Sequence, residues 1–207
     1  MSLRTSYTLL APVYDAIVSS ATRPFRRISL AALDSPSASQ RILLAGIGSG
    51  LDIPELPIGP NYIGIDLTPA MLWRAQRRNT QLQQTVLHCG DVHQLPYPDN
   101  SFDIVLMHLI LAVVPDSHKA LQEAVRVLKP GGHLHIVDKF LRPGERAWVR
   151  RLVNHVLRHI ATRTDVVFED LHAQQPQLQL LQDQPLDPTG WFRFIRLQKI
   201  SLPKSEL

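Results

Sequence analysis

The chain has 207 residues, 44% hydrophobic and 19% charged, which gives room for one domain with a real core and excludes a disordered chain. Its 22 Lys and Arg against 18 Asp and Glu leave a formal charge of +4, whose sign alone names no partner. One cysteine, Cys89, excludes an intrachain disulfide framework, and the longest apolar run, 104–114 with His108 inside it, falls short of the ~20 residues that span a bilayer. The first residues (Met1-Ser2-Leu3-Arg4-Thr5-Ser6-Tyr7) lack the apolar stretch of a secretory leader, so a cytoplasmic location is expected.

Residues 13–33 place Val13, Tyr14, Ile17, Val18, Ala21, Phe25 and Ile28 at helical spacing, with Arg23, Arg26 and Arg27 among them. Pro24 is expected to break or restart that helix. After Ser35-Pro36-Ser37-Ala38-Ser39, short apolar runs alternate with helical stretches. Ile42 to Ala45 reads as a strand running into a glycine-rich turn with a helix start behind it. Tyr62 to Ile65 is a second strand ending at Asp66, followed by a helix over 69–78 with Thr68 as N-cap and Pro69 in first position. Thr85 to His88 is a third strand, ending near Asp91, and Phe102 to Met107 a fourth. Ser117 to Leu128 reads as a helix stopped by Lys129-Pro130-Gly131-Gly132, and His133 to Val137 as the fifth strand. Five strands separated by helical segments predict an α/β fold, a Rossmann-like doubly wound sheet, mostly parallel. Residues 143–160 form an amphipathic helix with Trp148, Val149, Leu152, Val153, Val156, Leu157 and Ile160 on one stripe. Leu178 to Leu181 and Trp191 to Ile200, joined through Asp187-Pro188-Thr189-Gly190, predict an antiparallel C-terminal hairpin at the sheet edge. The division is one domain over 1–207: an N-terminal helical lid segment (1–39), a core (40–140), and the helix with the hairpin (141–207).

The sharpest motif is Ala45-Gly46-Ile47-Gly48-Ser49-Gly50 directly after a strand. Glycines at alternate positions let the backbone turn tightly and approach a ligand without Cβ clashes. An ordinary strand-to-helix turn is the alternative for this motif alone. A carboxylate at the tip of the next strand, Asp66, suits ribose hydroxyls, and Asp91 at the third strand's end suits an exocyclic amine. The turn is not G-x-G-x-x-G, so a nucleoside with a charged tail fits better than a pyrophosphate cofactor.

Over residues 40–140 the chain resembles class I S-adenosylmethionine-dependent methyltransferases. The resemblance is carried by the glycine turn, by Gly64-Ile65-Asp66-Leu67-Thr68-Pro69-Ala70-Met71-Leu72, by Gly90-Asp91-Val92-His93-Gln94-Leu95-Pro96, and by Arg126-Val127-Leu128-Lys129-Pro130-Gly131-Gly132. It implies S-adenosylmethionine as cofactor, S-adenosylhomocysteine as product, and no metal. It further implies that Gly46, Gly48 and Gly50 line the methionine and ribose end, and that Asp66 holds the ribose. Leu67 and Met71 would flank the adenine, Asp91 take its amine and Val92 pair through its backbone, with His108 beside the methionine portion. One position departs: Leu44 stands where the family usually carries an acid, and Asp52 is a nearby substitute.

Leu10-Ala11-Pro12-Val13-Tyr14-Asp15 resembles the N-terminal segment of bacterial phosphatidylethanolamine N-methyltransferases and, more loosely, quinone methyltransferases; Val113-Val114-Pro115-Asp116 is similar to the phospholipid group. By that resemblance Tyr14, then Tyr7, borders the transferred methyl group. An amine that arrives neutral needs no strong base, whereas a ring carbon would recruit His108 or His135; His135, in a strand, reads rather as a core histidine. The net charge divides into +3 over 1–33, −3 over 34–138, +6 over 139–163 and −2 over 164–207. The basic segments 139–163 and 23–27 either solvate a packed helix or meet an anionic membrane surface, which would make the protein peripheral. Three readings stand together: N-methylation of a phospholipid amine, methylation of a small soluble or quinone-like acceptor, and a non-catalytic binding protein. No nucleic acid partner is expected, since no Asn-Pro-Pro-aromatic motif follows the fourth strand.

Overall fold

A computed structural model describes residues 21–33, 36–79, 85–142 and 166–201. Tyr7, Tyr14, most of the lid segment and the expected helix over 143–160 lie outside the described residues.

The apolar run of β1 (Arg41–Ala45) makes it the centre of a sheet covered on both faces, where a strand needs no polar alternation. Leu43 and Ala45 face one core with Val105, Met107, Leu121 and Leu134, while Ile42 and Leu44 face another with Leu30, Tyr62, Ala75 and Leu106. That split is the two-residue period of a strand. β2 (Asn61–Asp66) and β4 (Phe102–His108) flank β1 in parallel, with Leu44 opposite Gly64 on one side and Leu106 on the other. β3 (Thr85–Cys89) continues outward from β2, and β5 (Leu128–Lys139) from β4. β6 (Leu178–Pro185) and β7 (Phe192–Lys199) complete the order β3-β2-β1-β4-β5-β7-β6, with β7 antiparallel to both neighbours. The expected mostly parallel sheet with an antiparallel terminal hairpin is therefore present. The chain leaves β1 toward β3 and resumes at β4 on its other side. The carboxyl ends of β1 and β4 thus border the crevice where such sheets take ligands.

The helices cover the faces. Residues 21–31 are helical (α1) and lay Leu30, with Leu33 beyond, on the core of Leu44 and Leu106. α2 (Pro69–Gln76) begins at Thr68, whose carbonyl accepts from Met71 and Leu72, although its hydroxyl makes no cap bond. α3 (Ser117–Val127) is capped by the Asp116 carboxylate, which accepts from Lys119 N at 3.0 Å, and buries Ala120, Leu121, Ala124 and Val125. α4 (Phe168–Ala173) adds Phe168 and Leu171 to the same core.

Four local expectations are corrected. The helix runs on through Pro24 over 21–31 rather than breaking there. Behind the glycine turn stands only a three-residue 3-10 helix, Ile53–Glu55, because Pro54, Pro57, Gly59 and Pro60 leave no uninterrupted stretch before β2. No helix separates β3 from β4: residues 90–101 are turns around Pro96, Pro98 and Asn100, the last at φ 55°. β5 starts at Leu128, immediately after α3. It pairs Leu128 with Phe102 and then jumps to His133 opposite Ile104, so that Lys129-Pro130-Gly131-Gly132 bulges out between two paired stretches.

Candidate active site

The turn after β1 is tied to the neighbouring strand before any side chain acts. Gly46 N and Ile47 N both donate to the Ile65 carbonyl, at 2.9 and 3.0 Å. Gly46, Gly48 and Gly50 sit at φ 74°, 56° and 77°, where side chains are strained. Their surroundings differ. A Cβ on Gly46 would lie 2.5 Å from the Ile110 side chain, and one on Gly50 2.8 Å from the Ala75 backbone, whereas Gly48 faces open space.

Asp66, at the end of β2, fixes the turn. One carboxylate oxygen accepts from Gly48 N at 2.9 Å and the other from Thr68 N at 2.8 Å. Burial pushes its carboxyl up, and these donors only partly offset that, so it stays above its ordinary value. Beyond β3, Asp91 accepts from the backbone and ring N–H of His93, at 2.9 and 2.6 Å. Burial raises that carboxyl too, but His93 outweighs it and holds Asp91 below the ordinary range.

The end of β4 carries a buried polar chain. His108 Nδ1 lies 2.9 Å from Asp52 and Nε2 2.9 Å from the Ser29 hydroxyl of α1. The Asp52 carboxylate accepts from Nδ1–H, and the Ser29 hydroxyl bonds the opposite ring nitrogen. Arg26 Nε meets the other Asp52 oxygen at 2.8 Å, and its guanidinium donates to Thr22 Oγ1. Burial pushes Asp52 up, yet His108 and Arg26 together hold it below its ordinary value. On β5, His135 is buried and donates from Nδ1 to the Ser29 carbonyl at 3.2 Å. Its burial, with Arg196 nearby, pushes its pKa down to about 3.

The loop after β4 closes the far side. Leu109, at φ 57°, donates to the Val137 carbonyl, and the buried Asp138 carboxylate accepts from Ala112 N at 3.1 Å. Leu109, Ile110, Val113, Val114 and Pro115 thereby present an apolar wall to a cavity of about 210 Å³.

That cavity brings together Gly46, Gly48, Asp66, Leu67, Met71, Asp91, Val92 and His108, all expected from the sequence. Gly50 is not brought into that cavity's lining; its lack of a side chain lets the turn pack against α2 at Ala75. His135 lies in the core, as the strand reading had it. The basic segment 23–27 is corrected in part. Arg26 is 5% exposed and turned onto Asp52, while Arg23 and Arg27 are exposed but both paired with Glu55. Arg26, Ser49, Thr68 and His93 line the cavity and were missed. The available signal for Arg26 was Thr22, Arg26 and Ser29 at i, i+4 and i+7, a spacing that puts three polar residues on one face of the helix.

Residues 43–136 match the family model described as "Methyltransferase domain". A phosphatidylethanolamine N-methyltransferase of Cereibacter sphaeroides is 30% identical over 163 residues, 77% of this chain and 80% of that protein. A demethylmenaquinone methyltransferase of Paenarthrobacter aurescens is 31% identical over 159 residues, 74% of this chain and 61% of that protein. Among solved structures, a SAM-dependent methyltransferase from Thermotoga maritima superposes with a TM-score of 0.70 at 20% identity, over 95% of this chain and all of that one.

Proposed function

The chain belongs to the class I S-adenosylmethionine-dependent methyltransferases, and from that premise we propose that it N-methylates a phospholipid amine of the phosphatidylethanolamine kind. The observation that carries the acceptor is the likeness to a phosphatidylethanolamine N-methyltransferase along most of both chains. When bound, S-adenosylmethionine supplies an electrophilic methyl group on a sulfonium, which a neutral amine takes in line.

The cavity fits that cofactor. Gly48 faces open space where a side chain would intrude, and carboxylates stand at two successive strand tips. In this reading Gly46 and Gly48 bring the backbone close to the ligand, and Asp66 accepts from the ribose hydroxyls. Leu67 and Met71 flank the adenine, Asp91 accepts from its amine and the Val92 backbone pairs beside it. By the sequence resemblance Tyr14, with Tyr7 second, is assigned to border the methyl group; both lie outside the described residues. His108 has both ring nitrogens bonded and His135 is buried at a pKa of about 3, which supports an acceptor needing no strong base. The apolar wall from Leu109 to Pro115 disfavours an ammonium and so favours the neutral amine. A quinone-like acceptor is the second reading, supported by the demethylmenaquinone relative.

Incubation with methyl-labelled cofactor and a panel of lipid amines, quinols and small amines tests the proposal by mass. A CH₂ unit gained by phosphatidylethanolamine is expected, with slower turnover but unchanged cofactor affinity in Tyr14→Phe. A labelled quinol and an unlabelled lipid would move the assignment to the second reading.

A further inference from the structure

We propose that the Arg26–Asp52 pair, oriented by His108, receives the zwitterionic amino-acid end of the cofactor. The proposal rests on the reading of the cavity as the S-adenosylmethionine site and adds the residues that would hold its charged tail. That tail carries an ammonium and a carboxylate on one carbon, so a largely buried site must offer it an anion and a cation side by side. The described lining residues offer this once. Asp66 and Asp91 sit at the β2 and β3 tips with no Lys or Arg beside them in the lining, and Leu44 on β1 is apolar. Arg26 is the sole Lys or Arg among the described residues of the cavity wall, and Asp52 stands against it.

The pair is buried and held in place. Arg26 and Asp52 are 5% and 7% exposed. Arg26 Nε and Asp52 Oδ1 form an ion pair at 2.8 Å within the cavity wall. A buried ion pair on a cavity wall suits a ligand that brings the complementary charges and can exchange with its internal contact. The Ser29–His108–Asp52 chain fixes the carboxylate's orientation from the opposite side, which makes His108 a positioning residue. The helix ahead of the core thereby becomes a wall of the cofactor site.

Calorimetry with S-adenosylhomocysteine and 5′-methylthioadenosine, which lacks the amino-acid end, separates the tail from the nucleoside. The wild type should bind S-adenosylhomocysteine more tightly by about tenfold or more, given charged hydrogen bonds at the tail. In Asp52→Asn and Arg26→Met that preference should fall by about tenfold, with methylthioadenosine affinity kept within about twofold. The double variant, Arg26→Met with Asp52→Leu, leaves no unpaired charge in the wall and should lose the same preference while melting cooperatively. A preference unchanged in the variants, or both ligands weakened equally, overturns the clamp. A wild type that binds neither nucleoside overturns the reading of the cavity itself, and the clamp with it.

Discussion

Two histidines meet one serine at the heart of the molecule. Ser29 bonds His108 through its hydroxyl and His135 through its carbonyl, joining α1 to the ends of β4 and β5. Sequence showed both histidines and assigned His135 to the core, because a histidine on a buried strand has few ways to meet solvent. It could not show Ser29, whose bond to His108 spans 79 positions. The burial of His135 has a pH consequence. Its pKa is about 3 in the folded protein and 6.5 ordinarily, so below pH 6.5 the unfolded chain takes up a proton that the folded chain refuses. The stabilisation is present above pH 6.5 and is lost as pH falls toward 3. In that window the folding equilibrium shifts by about tenfold per pH unit. Chemical denaturation between pH 6.5 and 5 should show the wild type losing stability faster than His135→Gln. Asp138, pushed up to about 6 by burial, titrates in both proteins and cancels in the comparison. Parallel curves would mean that His135 is protonated at no cost.

At the scale of elements, the glycine turn divides its labour. Gly50 serves the fold, since a Cβ there would strike the Ala75 backbone and lift α2 from the sheet. Gly48 borders the cavity with nothing against it, which leaves room for a ligand there. Gly50→Ala is expected to destabilise the protein by more than about 1 kcal/mol in urea denaturation, through clash and positive φ together. Gly48→Ala carries only the backbone strain of about 1–2 kcal/mol, and should weaken S-adenosylhomocysteine binding as well. Reversed effects, with Gly50→Ala stable and Gly48→Ala binding normally, would exchange the two roles. The elements legible in the sequence were those with a strong local signal: the buried strands, the Asp116-capped α3 and the hairpin. The bulge at 129–132 was not legible. It arises because β5 pairs with Phe102 before the bulge and with Ile104 after it, a demand set by the neighbouring strand.

At the scale of the whole molecule, the charge pattern is sharper than a net +4. Arg26 is turned onto Asp52, and Arg23 and Arg27 are paired with Glu55, so the remaining basic cluster in the sequence is the seven Lys and Arg between 139 and 163, most of them outside the described residues. Among the described residues no helix is long and apolar enough to cross a membrane. Attachment to a lipid substrate's bilayer would then be electrostatic, at about 1 kcal/mol per basic group near an anionic surface. The protein should co-sediment with anionic vesicles at low salt, progressively less as salt is raised, and should leave neutral vesicles in the supernatant. Equal sedimentation with both would show that the basic segment solvates the protein rather than binding lipid.

The sequence by itself determined the parallel sheet, the glycine turn, the carboxylates at successive strand tips and the class of cofactor. The structural features are written within a few residues of chain, where backbone sterics and strand periodicity act, and the class of cofactor followed from the family resemblance those motifs carry. The packing of layers decided the rest: that Gly50 is structural, that Arg26 faces inward, and that Asp52 joins His108 across 56 positions. A buried charge takes whatever partner the fold brings to it, and that partner is defined only once helix and sheet have closed over both.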